Sequence, residues 1–123
     1  MAKILLIEDD PSINKVVSTK LAREGFEMAM ASDGEEGFRK IKDENPDLII
    51  LDIMLPKRDG FWVLEEMKIS ADIKKGIPVI VLSNLGQPKD IDLAVKLGAK
   101  DYLVKTDFSL AALVDKVREH LTK

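Results

Sequence analysis

The chain has 123 residues, with 19 lysines and arginines against 22 aspartates and glutamates, so its formal net charge is −3. This length suits one domain that folds alone, and the balanced charge argues against a nucleic acid or an anionic membrane as the main partner. The absence of cysteine excludes a disulfide framework, a thiolate nucleophile and a cysteine-ligated zinc site. The sequence has no signal peptide pattern and no apolar run of membrane-spanning length, so we expect a soluble, cytoplasmic protein.

Short apolar runs alternate along the chain with longer segments of helical period. This alternation is typical of repeated βα units and a mainly parallel sheet. The predicted strands are Lys3–Ile7, Phe26–Ala31, Leu48–Leu51, Val79–Leu82 and Tyr102–Val104. The third strand is apolar throughout, which indicates a central strand covered on both faces by helices.

Five helices are predicted between and after these strands. Proline near a helix start and glycine just past a helix end mark several of their bounds. The first helix opens at Pro11–Ser12 and closes at Gly25, the second follows Gly34 and stops at Asn45–Pro46, the third carries Phe61, Leu64 and Met67, the fourth runs from about Pro88 to Leu97, and the last follows a cap at Ser109.

At four of the five strand ends, charged or hydroxyl side chains are candidates for a functional site. Glu8 and Asp9 follow the first, Asp52 the third, Ser83 the fourth and Lys105 the fifth. Right-handed crossovers bring the carboxyl ends of parallel strands to one edge of the sheet, so these groups converge there. Two like charges about 4 Å apart repel by roughly 4 kcal/mol at an effective dielectric near 20. A bound cation would offset this repulsion between the carboxylates. Mg²⁺, which prefers oxygen ligands, meets this need.

This set of groups suits phosphoryl transfer, in which a protein mainly positions groups and neutralises charge. Asp52 is the predicted nucleophile, and its phosphorylation would give an acyl phosphate. Asp9, with Glu8, would hold the metal ion. Lys105 would pair with one phosphoryl oxygen, and the Ser83 hydroxyl would donate to another.

Four ordered blocks of sequence carry a family resemblance over essentially the whole chain. They are Ile4–Pro11, Pro46–Pro56 with Asp59–Gly60, Pro78–Ser83 and Gly98–Lys105. In these blocks the chain resembles the receiver domain of two-component response regulators, in the single-domain form typical of chemotaxis regulators. The resemblance implies an α/β, flavodoxin-like, doubly wound fold: a five-stranded parallel sheet of order 2-1-3-4-5 with five helices, forming one receiver domain over residues 1–123.

The resemblance also implies roles for individual residues. Asp52 corresponds to the acceptor of a phosphoryl group from the phosphohistidine of a sensor histidine kinase or a histidine phosphotransfer protein. Glu8 and Asp9 correspond to the acidic pair that binds Mg²⁺ together with Asp52, and the backbone carbonyl of Met54 to a further ligand of that ion. Lys105 corresponds to the lysine of the family site. The implied protein is a phosphoacceptor, not an enzyme acting on other substrates.

Ser83 and Tyr102 occupy the family's hydroxyl and aromatic switch positions. A phosphoryl group on Asp52 would draw the Ser83 hydroxyl inward, which would let the Tyr102 ring turn and would remodel the face of helix 4, strand 5 and helix 5. A downstream protein would bind that face. We expect a monomer, or a weak homodimer through the same face with Asp101 and Lys116 as cross-subunit partners, since surface pairs contribute under about 1 kcal/mol.

The sequence departs from the family pattern after the lysine, where Thr106 replaces the usual proline. A cis Lys105–Thr106 bond would cost about 3 kcal/mol, so we predict a trans bond. Asn84 replaces a small residue and narrows the path of the switch. Met54 and Leu85 cannot orient an attacking water, which predicts slow autodephosphorylation.

Two other functions remain to be weighed. A phosphatase with an aspartyl nucleophile usually carries a second aspartate two residues later, and Met54 at that position argues against it. A pseudo-receiver, an interaction module that takes no phosphate, would have lost the acceptor, the acidic pair or the lysine. All of these are present here.

Overall fold

A five-stranded parallel sheet in the order β2-β1-β3-β4-β5 forms the centre of the protein. The computed structural model describes residues 1–122. The strands are β1 (Lys3–Ile7), β2 (Glu27–Ala31), β3 (Leu48–Leu51), β4 (Val79–Ser83) and β5 (Asp101–Val104). The predicted fold class and strand order are therefore confirmed, and the predicted strand bounds differ from the observed ones by one residue at most.

Five helices cover the two faces of this sheet. They are α1 (Pro11–Arg23), α2 (Gly34–Glu44), α3 (Gly60–Ile69), α4 (Pro88–Lys96) and α5 (Leu110–Leu121). Side chains of Asp10, Asp33, Asp59 and Ser109 accept hydrogen bonds from backbone N–H groups in the first turns of α1, α2, α3 and α5. Each such cap stabilises its helix by about 1 kcal/mol. In the described residues, no helix combines the length and apolar character that a bilayer crossing requires.

Two apolar cores lie on opposite faces of the sheet because alternate strand residues point in opposite directions. On β3, Ile49 and Leu51 face the core beneath α2, α3 and α4, whereas Leu48 and Ile50 face the core beneath α1 and α5. All four side chains are fully buried. The prediction of a central strand covered on both faces is confirmed.

The parallel arrangement decides where the polar junction residues lie. Ile7 at the end of β1 is in register with Leu51 at the end of β3, so the residues that follow them, Glu8 and Asp52, are neighbours across the sheet. The Asp52 N–H donates to the Ile7 carbonyl at 3.0 Å, which extends this pairing to Asp52 itself.

Candidate functional site

Three carboxylates meet at the carboxyl ends of β1 and β3. Glu8, Asp9 and Asp52 each offer an oxygen, and these oxygens all lie within 4.8 Å of one another. Glu8 and Asp52 are buried, with 1% and 3% of their surface exposed, while Asp9 is exposed to solvent. Solvent therefore reaches the cluster at Asp9, while Glu8 and Asp52 are shielded from it. This is expected for a site that a small solute enters from one direction.

The ammonium group of Lys105 joins the two buried carboxylates. Its Nζ lies 2.7 Å from Glu8 Oε1 and 2.8 Å from Asp52 Oδ2. The second Asp52 oxygen accepts a hydrogen bond from the Met54 N–H at 3.1 Å, and the second Glu8 oxygen accepts one from the Asp10 N–H at 3.1 Å. Both buried carboxylates therefore have a fixed orientation.

The electrostatics of the cluster show an excess of negative charge. Burial raises the pKa of Glu8 to about 7, and the nearby Asp52 charge adds to this rise although Lys105 opposes it. Burial by itself would lower the pKa of Lys105, but its contacts with Asp52 and Glu8 outweigh that effect and raise the pKa. One ammonium group therefore does not balance three carboxylates, and a further cation at this site is electrostatically favoured.

The donor set of the cluster fits Mg²⁺. The ligand atoms are carboxylate oxygens, which this hard cation prefers, and a site of few protein ligands leaves room for waters and phosphate oxygens. Glu8 and Asp52 each accept from Lys105 and from a backbone N–H, whereas Asp9 is exposed, so within residues 1–122 Asp9 offers the least encumbered oxygens for direct contact with a metal ion. The geometry thus accommodates the predicted magnesium ligands among these side chains.

Ser83 and Tyr102 lie on the neighbouring strands β4 and β5, where Tyr102 is in register with Val81, two residues before Ser83. Ser83 is fully buried at the end of β4, and its Oγ accepts a hydrogen bond from the Leu85 N–H at 3.3 Å. The Tyr102 hydroxyl donates to the Leu85 carbonyl. Burial raises the pKa of Tyr102, and the negative charge of Asp90 adds to this rise. The two predicted switch residues thus share one loop residue, Leu85, as a hydrogen-bonding partner.

Comparison with known proteins assigns the family. The family model for the response regulator receiver domain matches residues 4–118. The chain belongs to this family. It is a receiver domain of two-component response regulators, a module of phosphorylation-dependent signalling, and the predicted resemblance is confirmed.

Individual relatives agree with the assignment to receiver domains. The chain is 39% identical over 123 residues to the DNA-binding dual master transcriptional regulator RpaA of Synechocystis, and covers 100% of its own length and 50% of that protein. It spans about half the length of the curated relatives it matches.

Solved structures of receiver domains match over their full length. The BeF3-activated N-terminal receiver domain of Klebsiella pneumoniae RstA gives a TM-score of 0.89 at 30% identity, with 98% of this chain and 99% of that one covered. The receiver domain of the sensor histidine kinase PA1611 of Pseudomonas aeruginosa, solved with a magnesium ion coordinated in its active site cleft, gives a TM-score of 0.88 at 26% identity, with 99% of this chain and 98% of that one covered.

Two residues that support the receiver site were not predicted from the sequence. Asn14 on α1 donates from its side-chain amide to the Glu8 carbonyl at 2.8 Å and so fixes the backbone at the end of β1. Gly60 lets α3 begin against the acceptor loop, because a Cβ there would lie 2.5 Å from the Asp52 carbonyl oxygen and 2.7 Å from the Ile53 Cα. Gly60 belongs to the Asp59–Gly60 pair that contributes to the family resemblance, so its position could have been noted from the sequence. No sequence pattern pointed to Asn14.

Asp101, on the face formed by α4, β5 and α5, has ion-pair partners within its own chain. Asp101 lies 3.7 Å from Lys116 and 2.6 Å from His120 of the same chain. The cross-subunit pairing of Asp101 with Lys116 stays a prediction. The Lys105–Thr106 bond is trans, as predicted.

Proposed function

We propose that Asp52 accepts a phosphoryl group from the phosphohistidine of a sensor histidine kinase or a histidine phosphotransfer protein. The N–P bond of the donor breaks, an O–P bond forms to a carboxylate oxygen of Asp52, and the imidazole leaves after taking up a proton. The observation that carries this proposal is the convergence of Asp52 with Glu8, Asp9 and Lys105 in one small cluster open to solvent.

The remaining site residues have distinct roles in this proposal. Glu8, Asp9, Asp52 and the Met54 backbone carbonyl would hold Mg²⁺, and the ion would supply positive charge to the phosphoryl oxygens. Lys105 is already in contact with the Asp52 carboxylate at 2.8 Å and would transfer this contact to the phosphoryl group. Because Lys105 reaches Asp52 despite Thr106 in place of proline, the departure from the family pattern does not remove this role.

The switch proceeds through Ser83 and Tyr102. Ser83 Oγ now accepts from the Leu85 N–H, and it would instead donate to a phosphoryl oxygen on Asp52. The Leu85 loop and the Tyr102 hydroxyl bound to it would then rearrange and change the face of α4, β5 and α5. A downstream protein would bind the altered face.

We further propose that the chain acts in the cytoplasm and turns over no substrate other than its own phosphoryl group. No direct contact with nucleic acid is required for the switch. The bounds of the domain, residues 1–123, and a monomeric or weakly dimeric state stay predictions. Sedimentation velocity with and without BeF3 tests the last of these.

Intact mass measurement tests the proposed acceptor. After incubation with acetyl phosphate and Mg²⁺, we expect a mass gain of one phosphoryl group. Asp52→Asn abolishes this gain, while Asp43→Asn, at an exposed carboxylate on α2, retains it. An unchanged gain in Asp52→Asn would refute the assignment, and no gain in the unaltered chain would favour the pseudo-receiver.

A further inference from the structure

A lysine-rimmed groove lies at the end of the sheet away from Asp52. It has a volume of about 220 Å³ and lies between α3, the loop leading into β4, and the turn between α4 and β5. Its apolar lining includes Met67, Ile77 and Leu97. The groove adjoins Val79, the first residue of β4, and a strand of this length spans about 13 Å, so the groove and the phosphoacceptor site are separate.

Four lysines surround the groove, and none of them has a carboxylate partner within residues 1–122. Lys68, Lys74, Lys75 and Lys100 line it. In residues 1–122 the Nζ atom of none of the four comes within 4.0 Å of a carboxylate oxygen. Other lysines of the chain do form such ion pairs. Asp72, the one carboxylate in the loop between α3 and β4, likewise has no ion pair in the part of the chain that the structure describes.

The four lysines differ in how free their ammonium groups are. Lys75 donates to the carbonyls of Met67, Lys68 and Ser70 at 2.9–3.0 Å, so it caps the end of α3 and is occupied. Lys68 reaches a single carbonyl at 3.5 Å. Lys74 and Lys100 are exposed and make no side-chain hydrogen bond in the described part of the chain. These two are therefore the groups most available to a negatively charged ligand.

The size and lining of the groove indicate the chemistry of its ligand. A volume of 220 Å³ is below the range of roughly 300–1,000 Å³ typical of small-molecule sites, and suits one or two apolar side chains. Its lining residues include no arginine or aromatic side chain, which are the groups that bind bases and phosphates in single-stranded nucleic acid sites. An apolar floor flanked by the exposed ammonium groups of Lys74 and Lys100 instead complements a peptide with carboxylates on either side of an apolar residue.

We propose that this groove binds an acidic peptide segment of a partner protein that inserts an apolar side chain between Lys74 and Lys100. Because the groove lies at the opposite edge of the sheet from Asp52, such a partner and a phosphodonor occupy the domain at the same time. The inference does not depend on phosphorylation of Asp52, and it is tested on the unphosphorylated chain.

Amide chemical-shift mapping tests the proposed groove. The probe is a synthetic peptide of glutamates and aspartates around two leucines. We expect shifts at Gly76, Gly98 and Lys100, and at least about tenfold weaker binding by the double variant Lys74→Glu with Lys100→Glu. Lys75 is left unchanged because it caps α3. The matched control Lys89→Glu, an exposed lysine at the other end of α4, binds as the unaltered chain does.

Two further probes separate this proposal from its alternatives. A peptide with serine in place of both leucines binds at least several times more weakly if the apolar floor is used. A short DNA duplex gives no comparable shifts at the groove. Equal binding of the serine peptide, preferential binding of the duplex, or no shift at the groove with the leucine peptide would each overturn the proposal.

Discussion

Removal of the Lys105 charge tests the electrostatic account of the acidic cluster. Lys105→Met keeps most of the apolar stem and deletes the ammonium group that lies 2.7 Å from Glu8 and 2.8 Å from Asp52. At 2.8 Å, each attraction amounts to roughly 6 kcal/mol at an effective dielectric of 20, before the cost of desolvation. Loss of one partner from a buried ion pair typically costs 3–5 kcal/mol, and since Lys105 keeps 11% side-chain exposure we expect about 3 kcal/mol.

This loss depends on pH and on metal ion in a defined way. Glu8 has a pKa of about 7 in the fold against 4.5 as the reference value. Because the folded state binds the proton more tightly, Glu8 ionisation lowers the stability of the metal-free protein as pH rises from about 4.5 through about 7. The cost of Lys105→Met is therefore larger at about pH 8 than at about pH 6, where Glu8 takes up a proton.

Urea denaturation in the presence of a chelator, and again in saturating Mg²⁺, measures these effects. We expect Mg²⁺ to stabilise Lys105→Met more than the unaltered chain, because the variant offers two carboxylates without a competing ammonium group. Lys116→Met serves as the control, since its ion pair with Asp101 is longer and more exposed and is worth under about 1 kcal/mol. A loss below about 1 kcal/mol in chelator at about pH 8, or an equal loss with and without Mg²⁺, would refute this account.

Three further predictions concern the same region. Asp9→Asn removes a carboxylate that has no ion pair within residues 1–122. We therefore expect this variant to be more stable than the unaltered chain by about 1 kcal/mol in chelator, and to gain less stability from Mg²⁺. Destabilisation in thermal melts with chelator would contradict this. Gly60→Ala forces a Cβ to 2.5 Å from the Asp52 carbonyl and costs about 2 kcal/mol in urea denaturation, more than Gly86→Ala, whose Cβ meets only a side chain at 3.2 Å. We expect the phosphorylated chain to persist for minutes or longer. Met54→Asn introduces an amide that can hydrogen-bond an attacking water, so it shortens this lifetime, as measured by intact mass over time. An unchanged lifetime would show that this position does not limit hydrolysis.

The elements and the location of the site follow from local sequence. Apolar runs such as Leu48–Leu51 are buried because no other arrangement hides both of their faces from water. Caps such as Asp59 and Ser109 fix helix starts through bonds to groups three residues away. Since parallel connection places every strand end at one edge, the location of Glu8, Asp52 and Lys105 at the same edge of the sheet was predictable without coordinates.

Other features depend on distances that only the assembled structure sets. Lys105 joins Glu8 to Asp52 because its side chain crosses from β5 toward β1, and sequence spacing does not report that reach. Asn14 bonds to the Glu8 carbonyl through a contact that the helical pattern does not signal. The lysine groove likewise unites α3, a loop and the end of α4, whose order in the chain does not reveal their proximity.

The amino-acid sequence by itself therefore determined the order of the elements and the edge of the sheet at which the chemistry gathers. Short-range hydrogen bonding and the burial of apolar runs act over a few residues, and they suffice for that result. Only the tertiary structure decided which carboxylates share Lys105, that Asp101 has partners in its own chain, and which lysines among residues 1–122 make no ion pair. Each of these depends on the packing of side chains from distant segments, where a shift of an ångström or two makes or breaks a contact.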